Sequence, residues 1–404
     1  MTKHDYTDYI VSRIADICIR YKRREGGSAS SRASGDDMAA EAAKYADVVE
    51  KQDFRINPHC FVLSIPLFAV FAILASVASL LAFLRDLPFL FLVGDILIFV
   101  GFAIFIPEYI FYRQTLDTFA PQKTGMNVFA VRKAKGESKR RIIICGHRDA
   151  AYEMPVLMHF NTTLLYVIIG ITLIGSVQSF ILNNIMFLDF LPQRVHMVFI
   201  IFELFCALAC VPIVFFVDFR TIVDGANDNL TGCFIGMSLL KEMADNDFRF
   251  ENTDVCCLFT DGEEAGLRGA AAFARDNIDM LMEKNTMVLI ADTIHEKEEL
   301  RIYSRGINYT ESNAEEACDL LYFSAMKYGL ELPYAEFYPG ANDSEAFSRE
   351  GVKSAAICGV RHVPAPYYHT RQDTYTNLNP ECIELVRDIV RSAVFMFDKA
   401  GKIF

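Results

Sequence analysis

Phe259-Thr260-Asp261-Gly262-Glu263-Glu264-Ala265-Gly266-Leu267 is the stretch around which the chain is organised. Val255 to Phe259 is an unbroken apolar run, the composition of a strand buried on both faces of a sheet. Two adjacent carboxylates follow, and then a turn leads into a helix. Neighbouring side chains at a strand end point in different directions. One carboxylate of the pair can therefore hold a metal while the other faces a substrate and carries protons. Glu-Glu pairs are also common on solvated surfaces, so this reading needs ligands at the ends of other strands.

Those ligands occur on both sides of it. Asn127 to Val131 and Arg141 to Cys145 read as strands, and the second ends in Gly146-His147-Arg148-Asp149. His147 is placed to bind a metal, and Asp149 to orient its ring through the other imidazole nitrogen. Gly225-Ala226-Asn227-Asp228-Asn229 precedes an apolar helix running to about Met243, with Asp228 at the helix start. Gly225 and Gly232 permit a close approach of loop to helix. A helix is expected from Gly269 to Glu283, then a strand from Thr286 to Ile290 that leads to Asp292. Strands are expected over Arg301 to Ser304 and Lys353 to Cys358, with a helix from Ser312 to Tyr328. Pro366-Tyr367-Tyr368-His369-Thr370-Arg371-Gln372-Asp373-Thr374 precedes a closing helix, Pro380 to Phe397. His147, Asp228, Glu264, Asp292 and His369 supply two imidazoles and three carboxylates. Two divalent cations sharing one carboxylate need that set, and mixed nitrogen and oxygen donors suit zinc, with cobalt or manganese as alternatives. Glu263 would then take a proton from an activated water and pass it to a leaving amine.

The remainder of the chain is unlike an ordinary soluble protein. Of 404 residues 52% are hydrophobic, yet 22% are charged, so apolar and charged blocks are segregated. The net charge of −12 excludes the basic footprint of a nucleic-acid-binding protein. Eleven cysteines, an odd number without a CxxC repeat, read as reduced thiols. The polar opening, Met1 to Tyr6, is not a secretory signal. Phe61 to Leu84, Leu87 to Pro107, Leu164 to Leu188 and Val195 to Val217 are each long and apolar enough to cross a bilayer. Short links join them as two hairpins. The hairpin tips offer only Arg85 and Arg194, whereas the polar segments are rich in lysine and arginine. Both termini and all polar segments are therefore expected in the cytoplasm. Asp95 and Glu203 are acids inside spans. At the N-terminus, Tyr9 to Tyr21 and Met38 to Val49 read as helices. The Gly/Ser-rich stretch between them, Gly26 to Gly35, reads on its own as disordered, whereas the two flanking helices favour a docked arm for the segment as a whole.

GHRD at 146–149, GANDN at 225–229, DGEEAGLRG at 261–269, IADT at 290–293 and YYHTRQDT at 367–374 together resemble the di-zinc aminopeptidase family. That family includes bacterial leucyl aminopeptidases and the glutamate carboxypeptidases. The resemblance implies an α/β fold, a mixed and mostly parallel sheet sandwiched by helices. It implies that His147 and Asp292 hold one zinc, Glu264 and His369 the other, and that Asp228 bridges. Asp149 would orient His147, Glu263 would be general base and acid, and Tyr367 or Tyr368 would help bind substrate. GANDSEAF at 340–347 is similar to the family's late Ser-Asp-His loop but has Asp343-Ser344-Glu345 in its place, which leaves Asp343 at the specificity pocket. Arg23 to Phe54 resembles the family's opening helix, Gly/Ser loop and helix. The expected layout is a peptidase domain made of 1–58, 113–160 and 219–404, interrupted by transmembrane hairpins at 59–112 and 161–218. The active site is expected near the membrane surface. The expected activity is aminopeptidase on a peptide substrate at a lipid bilayer. A carboxypeptidase or a glutaminyl-cyclase-like enzyme is the alternative within the enzyme class, and a non-catalytic receptor, scaffold or transporter the alternative outside it.

Overall fold

The computed structural model describes residues 3–306, 312–336, 340–361 and 364–400. Among them are ten strands: β1 (Val48–Ile56), β2 (Lys123–Arg132), β3 (Arg140–His147), β4 (Tyr152–Glu153), β5 (Asp218–Ile222), β6 (Thr253–Thr260), β7 (Asn285–Ile294), β8 (Leu300–Arg305), β9 (Tyr334–Glu336) and β10 (Lys353–Gly359). Eight of these form one sheet in the order β1-β2-β6-β3-β7-β10-β8-β9. Its centre is parallel: β3 runs alongside both β6 and β7, and β10 alongside β7. The β1–β2, β2–β6 and β8–β10 pairings are antiparallel. Ile142, Ile143 and Ile144 are fully buried in β3, as a strand covered on both faces requires.

Alternation along β2 shows how the two faces are filled. Val128 and Ala130 join the main core, with Ile10, Ile14 and Ile17 of the helix Lys3–Arg20, Phe234 and Leu240 of the helix Thr231–Asp245, and Val386 and Ile389 of the helix Pro380–Ala400. Phe129 points to the opposite face. There it packs on Phe273 of the helix Arg268–Asp276 with ring centroids 5.0 Å apart. The sheet carries apolar helices on both sides, the architecture expected from the sequence.

Three expectations need correction. The Gly/Ser-rich stretch is not disordered: Ser28 caps the helix Ala29–Ala42 by accepting the Ser31 N–H at 2.9 Å. Its small residues Ser31, Ser34 and Gly35 are buried, which a bulkier helix would prevent. Val48 and Val49, expected at the end of a helix, open β1 instead, because this segment pairs along its length with β2 and buries Phe54 and Ile56. The helix expected from Gly269 to Glu283 breaks at Asn277 into Arg268–Asp276 and Ile278–Met282.

The chain divides into two compact units. One is built from Met1–Pro58, Pro121–Glu153 and Thr221–Phe404, the other from His59–Ala120 and Met154–Arg220. Residues 113–120 and 154–160 therefore belong with the hydrophobic helices, not with the sheet. Glu108 ties the first of these segments down by accepting the N–H groups of Thr115 and Leu116, each at 2.9 Å. In the second segment, Phe160 packs against the apolar cluster of Ala69, Ile168 and Ile213. This unit contains four helices long and apolar enough to span a membrane. They are Cys60–Arg85, Phe89–Phe105 continued by a π turn to Ile110, Thr162–Phe187 and Gln193–Val214. All eleven cysteines of the chain are buried and unpaired in disulfides.

An ion pair fastens the outer strands of the sheet. Asp47, just before β1, accepts two hydrogen bonds from Arg249 at 2.6 and 2.8 Å and one from the Lys133 N–H at 2.8 Å. Arg249 and the Lys133 amide hold its carboxyl below the usual range, at about 2. A depressed carboxyl stabilises the fold above its unfolded-state value and ceases to do so as pH falls through the folded one. Asp47→Asn is therefore expected to cost about 1 kcal/mol at neutral pH, after discounting for its part exposure. The cost should vanish as pH falls from about 4 toward 2. Denaturant unfolding of both proteins across that range measures the difference.

Candidate metal centre

The sheet order brings three strand ends together. β6, β3 and β7 are adjacent and parallel, so their C-terminal ends open on one edge. β3 delivers His147, the turn after β6 delivers Glu263 and Glu264, and β7 delivers Asp292. Asp228 comes from the turn that starts the helix Thr231–Asp245, at a cis peptide bond to Asn229. That turn is sewn to β7: Asn229 donates to the Ala291 carbonyl at 3.0 Å and accepts the Gly232 N–H at 3.0 Å. Gly232 is required there, because a Cβ would lie 1.9 Å from the Ala291 carbonyl oxygen. His369 completes the group from the loop before the last helix, its backbone in the left-handed region at φ 52°.

The five expected ligands converge. His147 Nε2 is 3.1 Å from Asp228 Oδ1 and 3.7 Å from Asp292 Oδ1. His369 Nε2 is 3.1 Å from both Asp228 Oδ2 and Glu264 Oε2. Asp228 thus offers one oxygen to each imidazole. His147, Asp228 and Asp292 form one group of ligand atoms within 4.8 Å of one another, and Asp228, Glu264 and His369 another. Two ligands held at zinc-like distances on one tetrahedral ion sit about 3.4 Å apart, close to the observed separations. Glu264 Oε1 is buried without a hydrogen-bond partner. Glu263 Oε2 is 3.7 Å from His147 Nε2, beside the first group.

Charge balance points the same way. Asp228, Glu263, Glu264, Asp292 and Asp343 gather around two imidazoles. Burial raises Glu263 and Glu264, with His147 and His369 opposing and the neighbouring carboxylates adding to it. Burial pushes Asp292 up to about 7, against the pull of His147. Asp228 goes the other way, since hydrogen bonds to both imidazoles outweigh its burial. His369 rises to about 10 because Glu264 and Asp228 outweigh the burial of its ring. A buried site with more carboxylates than cations is stabilised by added positive charge, and the donor set fits a divalent metal.

Asp149 is placed differently from the expectation. Its Oδ1 is 3.6 Å from His147 Nδ1, beyond a hydrogen bond, and that nitrogen lies nearer the Asp149 carbonyl, at 3.3 Å. The Asp149 carboxylate instead accepts the backbone N–H groups of Glu263 and Glu264, both at 3.2 Å. It fixes the acid-bearing turn. Tyr367 is fully buried, with its hydroxyl 2.8 Å from Glu296. Tyr368 stacks on His369 with centroids 3.9 Å apart. Asp343 is buried beside the ligands; Thr260 donates to one of its oxygens at 2.6 Å, and the other has no partner.

Sequence reasoning missed the residues that hold the ligand loops. Asp373 accepts the N–H groups of Asn227 and Asp228 at 2.7 and 3.2 Å, and the Asn227 amide at 3.0 Å. Burial, then the nearby Asp228, pushes its carboxyl up to about 7. Arg24 is buried and donates to the carbonyls of Arg148 and Asp224, at 3.1 and 2.6 Å. Arg148, also buried, bonds Ser31 and Met126 and faces Asp261 at 3.3 Å. Glu153 receives Arg371, two residues after His369, through its N–H at 3.2 Å and its Nε at 2.7 Å. Asp373 and Arg148 lie inside quoted motifs, which was the available signal. Asp373→Ala leaves three donors unserved at the Asp228 turn. It is expected to weaken metal binding about 10- to 100-fold while the thiols stay buried, as competition with a chromophoric chelator and thiol counting would show.

Residues 214–394 match the family model described as Peptidase family M28. No curated protein matches the chain. Among solved structures, a Zn-dependent exopeptidase from Parabacteroides distasonis aligns over 95% of this chain and 96% of its own, with 12% identity and a TM-score of 0.53. The aminopeptidase from Aneurinibacillus sp. strain AM-1 aligns over 98% and 95%, with 15% identity and a TM-score of 0.55. A Bacteroides thetaiotaomicron glutaminyl cyclase bound to N-acetylhistamine aligns over 97% of both chains, with 13% identity and a TM-score of 0.55. At such identities these likenesses speak to the fold alone, one shared by a zinc exopeptidase, an aminopeptidase and a glutaminyl cyclase.

Proposed function

We propose that this chain, with its M28-like metallopeptidase fold, is a membrane-embedded aminopeptidase that removes the first residue from peptides with a free amino terminus. The observation that carries the reading is the sharing of Asp228, whose two oxygens lie 3.1 Å from the imidazole nitrogens of His147 and His369. His147, Asp228 and Asp292 would hold one zinc ion, and Asp228, Glu264 and His369 a second. Zinc there would supply Lewis-acid polarisation of a peptide carbonyl and acidification of water. Glu263 Oε2 takes the proton from the attacking water and delivers it to the nitrogen of the departing amine. The high proton affinity of that carboxyl, set by burial and its acidic neighbours, suits the exchange. Asp149 keeps Glu263 and Glu264 apart in their two roles by gripping both of their N–H groups. Tyr368 and the unpartnered oxygen of Asp343 are the groups suited to touch substrate. Tyr367, engaged with Glu296, positions the His369 loop.

Four helices of spanning length support insertion in a lipid bilayer. The scarcity of lysine and arginine at the hairpin tips supports a cytoplasmic sheet unit and cytoplasmic termini. A second reading, glutaminyl-cyclase-like chemistry, is favoured by the likeness to cyclases as well as to peptidases. The test is to purify the full chain in detergent, count zinc, and offer free, N-acetylated and N-terminal glutaminyl peptides. Release of the first residue from free peptides alone supports the aminopeptidase. Cleavage of blocked peptides from the other end indicates a carboxypeptidase. Ammonia loss from glutaminyl peptides without hydrolysis indicates a cyclase. Absence of both metal and turnover removes the enzyme reading in favour of a receptor, scaffold or transporter.

A further inference from the structure

The four-helix unit carries a polar layer that the hydrolase does not use. Glu203, on the helix Gln193–Val214, is fully buried, and neither carboxylate oxygen has a hydrogen-bond partner. The polar groups facing it are Ser79 on the first hydrophobic helix and Asp95 on the second. Asp95 is also buried; one oxygen accepts from the Asn184 amide at 2.8 Å and the other has no partner. Ser79 donates to Asn183 Oδ1 at 2.6 Å, and the fully buried Asn183 Nδ2 is turned toward Asp95 without a well-formed hydrogen bond. Ser76 reaches the Glu203 carbonyl at 3.4 Å. One layer thus joins side chains from all four helices. A cavity of about 10 Å³ lies one helical turn away, lined by Ser76, Thr172, Ser176, Ser179, Cys206 and Cys210 among others. The buried Thr172 hydroxyl that lines it has no partner either.

No positive group answers these two acids. The four helices contain lysine or arginine only at Arg85 and Arg194, at their ends. His196, on the same helix as Glu203, sits 3.9 Å from Asp189 instead. The facing helices present Ser76 and Ser79, and Asn183 and Asn184, and Glu203's own helix adds the thiols of Cys206 and Cys210. Two neighbouring carboxylates in an apolar bundle cannot both stay ionised and uncompensated. Three carboxylate oxygens without hydrogen-bond partners, beside a hydroxyl-lined cavity, offer the oxygen donors of a site for one small cation. We propose that the Asp95–Glu203 layer is a binding site for a single monovalent cation, a proton or a sodium ion. The site rests on the geometry of this unit alone and stands whether or not the sheet unit proves to be a hydrolase.

Dicyclohexylcarbodiimide, an apolar reagent for protonated carboxyls, tests it on the full chain in detergent, with labelled peptides located by mass spectrometry. The expected result is labelling at Glu203 that responds to one of the two cations. A proton site loses label about tenfold per pH unit above its midpoint and ignores sodium. A sodium site loses label about tenfold at fixed pH when sodium chloride reaches ten times its Kd, and choline chloride has no effect. Glu203→Gln should remove the label and abolish any sodium protection of Asp95; Asp95→Asn provides the same test from the other side. Labelling that ignores both pH and sodium, or no labelling of either acid under any of these conditions, overturns the proposal.

Discussion

Glu263→Gln is expected to lower turnover of free-amino peptides by about 10²- to 10⁴-fold, the usual worth of a positioned acid–base group, with bound zinc unchanged. The separation of effects follows from where the two acids of the pair sit. Glu264 is 3.1 Å from His369 and belongs to the second ligand group. Glu263 stands beside the first, 3.7 Å from His147. Glutamine keeps the shape and the backbone bond to Asp149, since the N–H is untouched. What it removes is the capacity to accept a proton at Oε2. Zinc per chain and kcat, measured on the same preparation, check the prediction. Loss of metal together with activity would move Glu263 into the ligand set, and undiminished turnover would remove it from the proton path.

Asp228→Asn is expected to strip metal from both groups at once and to reduce turnover by more than about a hundredfold, beyond the effect of losing an outer-sphere partner. Asp228 lies 3.1 Å from both imidazoles: one of its oxygens serves His147 and the other serves His369. An amide has one oxygen and presents N–H donors where a cation should sit. Stability supplies a second readout. A ligand present at a thousand times its Kd stabilises a fold by about 4 kcal/mol. A chelator should therefore lower the melting temperature of the wild type and leave that of Asp228→Asn unmoved. Equal chelator sensitivity in both proteins would count against the shared carboxylate.

The ligands themselves were legible because strand chemistry announces them. His147, Glu264 and Asp292 each follow or end an apolar run that could only be a buried strand, and the sheet places all three on one edge. The hydrophobic helices were legible for a simpler reason, since a length of apolar sequence without charges is itself the signal. The helix Ala29–Ala42 escaped because its evidence is tertiary. Serine and glycine score poorly as helix formers, and only the close packing of Ser31 and Gly35 explains their use. Asp149 was assigned to the imidazole by its spacing of two residues. It lies 3.6 Å from that ring and also holds N–H groups more than a hundred positions along the chain, which no local pattern reveals. Asp373 and Arg24 escaped for the same reason: their partners are carbonyls and N–H groups, which every residue possesses.

The position of β3 between β6 and β7 has a consequence for how the protein is made. When β3 leaves the ribosome, neither of its neighbours exists, and of the two hydrophobic hairpins only the first has been made. At ordinary rates of synthesis, the interval from residue 147 to residue 292 is of order ten seconds. Throughout it, a strand with Ile142, Ile143 and Ile144 in a row waits with both of its edges unpaired, the arrangement most open to wrong partners. The nascent chain should therefore be a chaperone client from about β3 until β7 is complete. Truncations ending between these strands should be cleared or aggregate, while those ending before β3 should persist as a single hairpin.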